Sequence, residues 1–245
     1  TEVRGGFGEI ELSWPKIPAV TAYEVHRSAT PDPVPPAPYI RTTLDTAGFA
    51  NSVAKSGDHL VLGDGTDGVK LVDVSDPTAP EVVNEIPVGN ASAVDGYVYL
   101  ADGESGLRIL SLTHPENAAV LNTIDTPYGA VEVTIDGDYA FVSDANAGMQ
   151  VIDVGSPASA FIKESLDTSG QVLDIVVDGD VAFLADQASG IQVVDISSPV
   201  AATAVKTVNT DGNALAAVMR GPYVYVADQD AGVAVIDATQ PSSVA

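Results

Sequence analysis

Val181-Ala182-Phe183-Leu184-Ala185-Asp186 is followed four residues later by Gly190, then by Ile191-Gln192-Val193-Val194-Asp195-Ile196 and Pro199. The same order of residue types stands 42 residues upstream, in Tyr139–Asp144, Gly148, Met149–Val154 and Pro157. It stands 42 residues downstream in Tyr223–Asp228, Gly232 and Pro241, and also upstream in Tyr97–Asp102, Gly106 and Pro115. A fifth copy, His59–Asp64 with Gly68 and Pro77, lies 38 residues before the one at Tyr97. Five copies in one register mark a repeat architecture.

Each unit reads as four short strands. Strand A alternates, as in Ala130–Ile135 and Val172–Val177, and ends in a Gly turn such as Asp136-Gly137-Asp138 or Asp178-Gly179-Asp180. Asp-Gly between apolar runs is a hairpin signal, because Gly takes positive φ without a Cβ clash. Strand B is the apolar segment ending in Asp. The Asp-x-x-x-Gly loop leads into strand C, and strand D follows the Pro, as in Ala160–Leu166. Val, Ile, Tyr and Phe dominate, as pleated and covered surfaces require. No segment shows a capped helical period. The expected fold is all-β: a β-propeller of four-stranded antiparallel blades, each shielding its neighbour.

Five blades are visible. Tyr39–Thr46 matches Phe161–Thr168 in register. It is a candidate D strand that completes the last blade and closes a five-bladed ring. The alternative is a longer protein with more blades; the start at Thr1 without Met reads as a processed or excised piece. Three segments are expected: a β segment over residues 1–30, a Pro-rich linker over 31–37, and propeller repeats over 38–245. Thr30–Pro38 carries five prolines, a composition that stiffens a linker.

Composition narrows the function. The 245 residues are 45% hydrophobic and 18% charged, with 34 acidic against 10 Lys and Arg, for a formal net charge of −24. Nucleic acid is excluded as a partner, since phosphate binding runs on cations. Anionic lipid is disfavoured for the same reason, and no apolar run is long enough to insert in a membrane as a helix. With no Cys, disulfides and thiol chemistry are ruled out. The three His residues are scattered, and neither a Gly-x-Ser-x-Gly elbow nor a phosphate-cradling Gly loop is present.

Tyr-Val-Ala-Asp in strand B, the following Gly, and Val-Ile-Asp-Val in strand C resemble the LVIVD repeat family over residues 38–245. The resemblance implies a propeller, a bacterial or archaeal origin and a surface or secreted location; it implies no activity. The second unit departs from the pattern, with Ser111 in place of the strand C Asp and a shortened strand A around Asn90–Val94. Residues 8–28 resemble the first strands of a fibronectin type III domain, through Leu12-Ser13-Trp14 and Tyr23-Glu24-Val25.

The strand B carboxylates Asp64, Asp102, Asp144, Asp186 and Asp228, with Asp67, are the candidate metal ligands, and calcium is the ion that oxygen donors favour. The competing role is turn capping: each Asp accepts backbone N–H bonds ahead of its Gly. The strand C series Asp73, Asp153, Asp195 and Asp237 sits in apolar runs and is expected buried and structural, as are Gly68, Gly106, Gly148, Gly190 and Gly232. The D–A and B–C loops gather a dozen acidic residues on one rim. No residue qualifies as catalytic, and no cofactor other than calcium is suggested. The expected function is a non-enzymatic, extracellular or cell-surface module for adhesion, binding or assembly. Its partners would be other surface proteins, copies of itself or polysaccharide. The alternatives are a carbohydrate-binding or hydrolytic domain using the acidic mouth, and a calcium-stabilised propeller.

Overall fold

The computed structural model describes residues 2–6, 9–13, 42–50, 52–86 and 96–239. The chain divides into two units, Thr1–Ile40 and Arg41–Ala245. In the first, β1 (Glu2–Gly6) and β2 (Glu9–Ser13) form an antiparallel hairpin with Glu2 opposite Ser13. The alternating stretch Ala22–Ser28, the prolines of residues 31–37 and strand A of the second unit lie outside the described residues.

In the second unit the repeats become five antiparallel sheets. The first blade holds β3 (Ser52–Ser56), β4 (His59–Gly63), β5 (Val69–Asp73) and β6 (Glu81–Ile86). The second holds β7 (Tyr97–Ala101), β8 (Leu107–Ser111) and β9 (Val120–Ile124). The third holds β10 (Glu132–Asp136), β11 (Tyr139–Ser143), β12 (Met149–Asp153) and β13 (Phe161–Leu166). The fourth holds β14 (Asp174–Asp178), β15 (Val181–Ala185), β16 (Ile191–Asp195) and β17 (Thr203–Val208). The fifth holds β18 (Ala216–Arg220), β19 (Tyr223–Ala227) and β20 (Val233–Asp237). Strand order follows chain order in every sheet, the meander that short hairpin connections dictate. Tyr139 and Val181 each open the second strand of their sheet, so the 42-residue step is a structural step.

Three of the C–D connections begin with Pro and make one turn of 3-10 helix: Pro115–Asn117, Pro157–Ser159 and Pro199–Ala201. Proline presets φ there, and its missing N–H is no loss at a first helical position. The ladder joining strands C and D shifts register in each of the four blades where both are described, as between Val151 and Ile152. A shift of this kind adds local twist.

The blades stack through four apolar clusters. Phe141, Met149 and Val151 of the third blade pack on Ile175, Leu184 and Val194 of the fourth. Equivalent sets join the first to the second, the second to the third, and the fourth to the fifth. A blade buried on both faces explains why its B and C strands read as continuous apolar runs. Backbone bridges tie neighbouring blades as well: Gly103 to Ala130, Ala145 to Val172, and Gln187 to Ala214. Asn84 and Asn122 add side-chain ties. Each donates to two carbonyls of the next blade's Pro turn, Pro115 and Ala118 for Asn84, Pro157 and Ala160 for Asn122.

The closing strand expected at Tyr39–Thr46 falls only in part on the described residues. Residues 42–46 are described and lie outside any strand, and among the described residues β20 has no fourth partner. Tyr39, Ile40 and Arg41 lie outside the described residues.

Candidate functional site

The strand B aspartates hold a different position from the one their turn suggests. The turn itself is closed by backbone: Asp186 N donates to Gly190 O, and Ser189 N to Asp186 O. The Asp186 carboxylate grips the D–A loop that enters the blade. Thr168 Oγ1 donates to Oδ1 at 2.9 Å, and Gly170 N to Oδ2 at 3.2 Å. Asp228 takes Thr210 Oγ1 at 2.7 Å and Gly212 N at 2.9 Å. Asp64 takes Thr46 Oγ1 at 2.8 Å and Gly48 N at 3.1 Å. Asp144 takes the N–H groups of Tyr128 and Gly129. The loop sits so close that a Cβ on Gly170 would lie 2.3 Å from the Asp186 carbonyl oxygen. At Asp64, Asp144, Asp186 and Asp228, turn capping by the carboxylate is thus corrected to clamping of the incoming loop. The physical reason is satisfaction: four of the five carboxylates are buried, and buried carboxylates need donors, which the loop supplies.

A position in strand C that the sequence reading passed over touches the strand B aspartate in three blades, the first, second and fourth. In the first blade it is Lys70, buried, 3.5 Å from Asp64 and 3.3 Å from Glu85. Burial opposes the Lys70 charge, but Glu85 and Asp64 outweigh it and hold the ammonium above its ordinary value. In the second blade Arg108 Nε lies 2.7 Å from Asp102 Oδ2, an ion pair by distance. In the fourth, Gln192 donates to Asp186 and accepts from Thr207. In the third, Gln150 donates to the Ala147 carbonyl and accepts from Ser165. In the fifth it is Ala234. Burial pushes the Asp186 carboxyl up, against the opposing pull of Thr168, Gly170 and Gln192. The signal in sequence was the polar residue one place after the first strand C residue, flanked by apolar neighbours.

The strand C aspartates are not buried as expected. Asp73, Asp153 and Asp195 are half-exposed and Asp237 is exposed, because each ends its strand where the sheet meets solvent. Each accepts the N–H two residues on, from Ser75, Gly155, Ser197 and Thr239, the short turn Asp favours. The Ser75 and Thr239 N–H and hydroxyl groups, and the Ser197 hydroxyl and N–H, hold Asp73, Asp237 and Asp195 below the ordinary range. The recurring glycines Gly68, Gly106, Gly148, Gly190 and Gly232 have φ between 70° and 85°.

The candidate metal residues Asp64, Asp67, Asp102, Asp144, Asp186 and Asp228 are spread over five blades: Asp64, Asp144, Asp186 and Asp228 each hold an incoming loop, Asp102 pairs with Arg108, and Asp67 is exposed. Among the described residues no three His, Asp or Glu side chains converge as a metal cage would require. What remains on the rim is Asp45, Asp67, Glu104, Asp125, Asp167, Asp211 and Asp230, all exposed. At the fifth blade Asp211, Asn213, Gln229 and Asp230 line an open cleft of about 450 Å³. The arrangement can present a negative, hydrogen-bonding surface.

No curated protein matches the sequence. Solved structures do. A functionally unknown protein from Desulfotomaculum acetoxidans DSM 771 is similar at TM-score 0.68 and 16% identity, over 82% of this chain and 70% of that one. Chaetomium thermophilum Sqt1, solved bound to the N-terminus of the ribosomal protein L10, gives 0.64 and 15%, over 80% and 60%. BamB from Moraxella catarrhalis gives 0.56 and 14%, over 77% and 57%. The chain thus spans between 57% and 70% of the length of these structures, and the likeness is one of fold. The LVIVD repeat model matches residues 47–86, 129–168, 169–210 and 211–245. The stretch between, 87–128, contains the second blade, where Arg108 and Ser111 break the pattern. Matched over more than half its length, the chain belongs to the LVIVD-repeat family.

Proposed function

We propose that the chain is a non-enzymatic, extracellular or cell-surface scaffold whose D–A and B–C loops bind basic partners. One observation carries this reading. The recurring buried carboxylates are spent on holding the loops, while the acidic residues left exposed on the rim are of one sign and stand on short, similar loops. Such a surface attracts cationic ligands over about a Debye length, roughly 8 Å at physiological salt. The test is binding of the immobilised chain to a lysine-rich peptide and to a neutral dextran, at low and at physiological salt. The scaffold reading expects peptide binding that weakens with salt and is lost when Asp167, Asp211 and Asp230 become Asn. Peptide that fails to bind, or dextran bound in its place, would overturn it in favour of the carbohydrate-binding alternative.

A further inference from the structure

One position of strand D faces the Pro turn of the following blade, and its residue changes from blade to blade. Asn84, Asn122, Glu164 and Lys206 hold it. Each pairs with the middle residue of its strand C, at Leu71, Ile109, Val151 and Val193, beside the register shift. Two residues on, Ile86, Ile124, Leu166 and Val208 pack toward the next blade. Side chains two apart share a strand face, so all four positions look the same way. Asn84 and Asn122 each donate to two carbonyls, Pro115 and Ala118 for one, Pro157 and Ala160 for the other. β13 lies against the fourth blade's turn, Pro199–Ala201, as β6 and β9 lie against theirs. The carbonyls that correspond are those of Pro199 and Ala202.

At this boundary the hydrogen bonding does not close. An ionised carboxylate only accepts, and so do two carbonyls. Among the described residues no hydrogen bond or ion pair reaches the Glu164 carboxylate. Ala118 N and Ala160 N close the second and third blades' turns on Pro115 O and Pro157 O. Among the described residues Ala202 N makes no such bond to Pro199 O. Ala202 is buried, and Glu164 and Pro199 are half-buried. Of amide, amide, carboxylate and ammonium, the four groups at this position, the carboxylate alone has nothing to donate. Acceptors gathered away from bulk water need a positive charge or a donor between them.

We propose that a calcium ion joins the third and fourth blades here, bound by the Glu164 carboxylate and the Pro199 and Ala202 carbonyl oxygens, where an Asn amide joins the two boundaries before it. Calcium takes roughly six to eight oxygen ligands, carboxylates, backbone carbonyls and water among them. A single carboxylate makes the site weak, with a dissociation constant on the order of 1 mM. The net charge of −24 raises the local cation concentration. The site is separate from the strand B aspartates, and it stands whether or not the rim binds basic partners.

The test is thermal melting of the full chain in chelator, in millimolar calcium chloride and in millimolar magnesium chloride, at constant ionic strength. Calcium is expected to raise the melting temperature by about 2 to 4 °C, and magnesium, which demands a tighter octahedral shell, by less. Glu164→Asn and Glu164→Gln restore an amide donor. Both are expected to melt above the wild type in chelator and to lose the calcium response. Asp125→Asn, which removes an exposed rim carboxylate, is expected to keep it. A wild type indifferent to calcium, an equal response to magnesium, a calcium response that survives both Glu164 substitutions, or one lost with Asp125→Asn would each overturn the proposal. So would Glu164 variants that melt below the wild type in chelator.

Discussion

At the scale of single residues, two aspartate series that look alike in sequence do different work. Asp186 is buried and holds a loop; Asp195 is half-exposed and holds only a turn of its own strand end. Asp186→Ala strands the Thr168 hydroxyl and the Gly170 N–H, and is expected to cost about 3 kcal/mol in urea unfolding; Asp195→Ala should cost clearly less. The pH response follows from the turns. Asp73, Asp195 and Asp237 have folded values below the ordinary range, so their contribution is present above the unfolded aspartate value, about 3.9, and is lost as pH falls through the lower folded values. Replacing all three with Asn keeps an acceptor and is expected to flatten the acid limb of a stability–pH curve. Asp186, pushed up by burial, acts in the opposite sense: its folded state gains as pH falls through the raised value. Glycine gives a sharper contrast. Gly148→Ala adds a positive-φ side chain against the Leu166 carbonyl and is expected to lower stability by about 3 kcal/mol. Gly232→Ala, with open space beside it, should cost about 1 to 2 kcal/mol. The sequence marked the recurring aspartates and glycines but not what the carboxylates hold. That depends on a loop 16 to 18 residues upstream in the chain, which local turn chemistry does not encode.

At the scale of elements, the hairpins were legible because Gly-centred turns and alternating runs fix both ends of a strand. Tyr139–Ser143 and Val181–Ala185 fall where the repeat puts them. The hairpin of β1 and β2 was half visible: Glu9–Ser13 alternates, while Glu2–Gly6 offers two glycines and little pattern. The Pro-initiated 3-10 turns were read only as breaks, since one turn of helix leaves no periodicity. They matter because Asn84 and Asn122 dock on them. Asn122→Ala removes both donors to the third blade's turn and is expected to cost about 1 to 2 kcal/mol in unfolding while leaving the strand content in circular dichroism unchanged.

At the scale of the whole molecule, the propeller architecture follows from one sheet's inability to cover both of its own faces. The repeat made this readable: interior strands are apolar on both faces, and the four clusters alternate along the stack. Ring closure was not readable, because every unit carries the same repeat pattern. The exposure of Val233 and Val235 against the complete burial of Met149 and Val151 is a property of neighbours, not of residue type.

The central claim is that each blade is held by its neighbour. Amide hydrogen exchange on the chain tests it most directly. The Val172 and Ala214 amides donate across a blade boundary, to Ala145 and Gln187. They are expected to exchange as slowly as the strand B amides of Phe183 and Leu184 in the fourth blade. Fast exchange at Val172 and Ala214, with protection confined to pairs inside each sheet, would contradict the account.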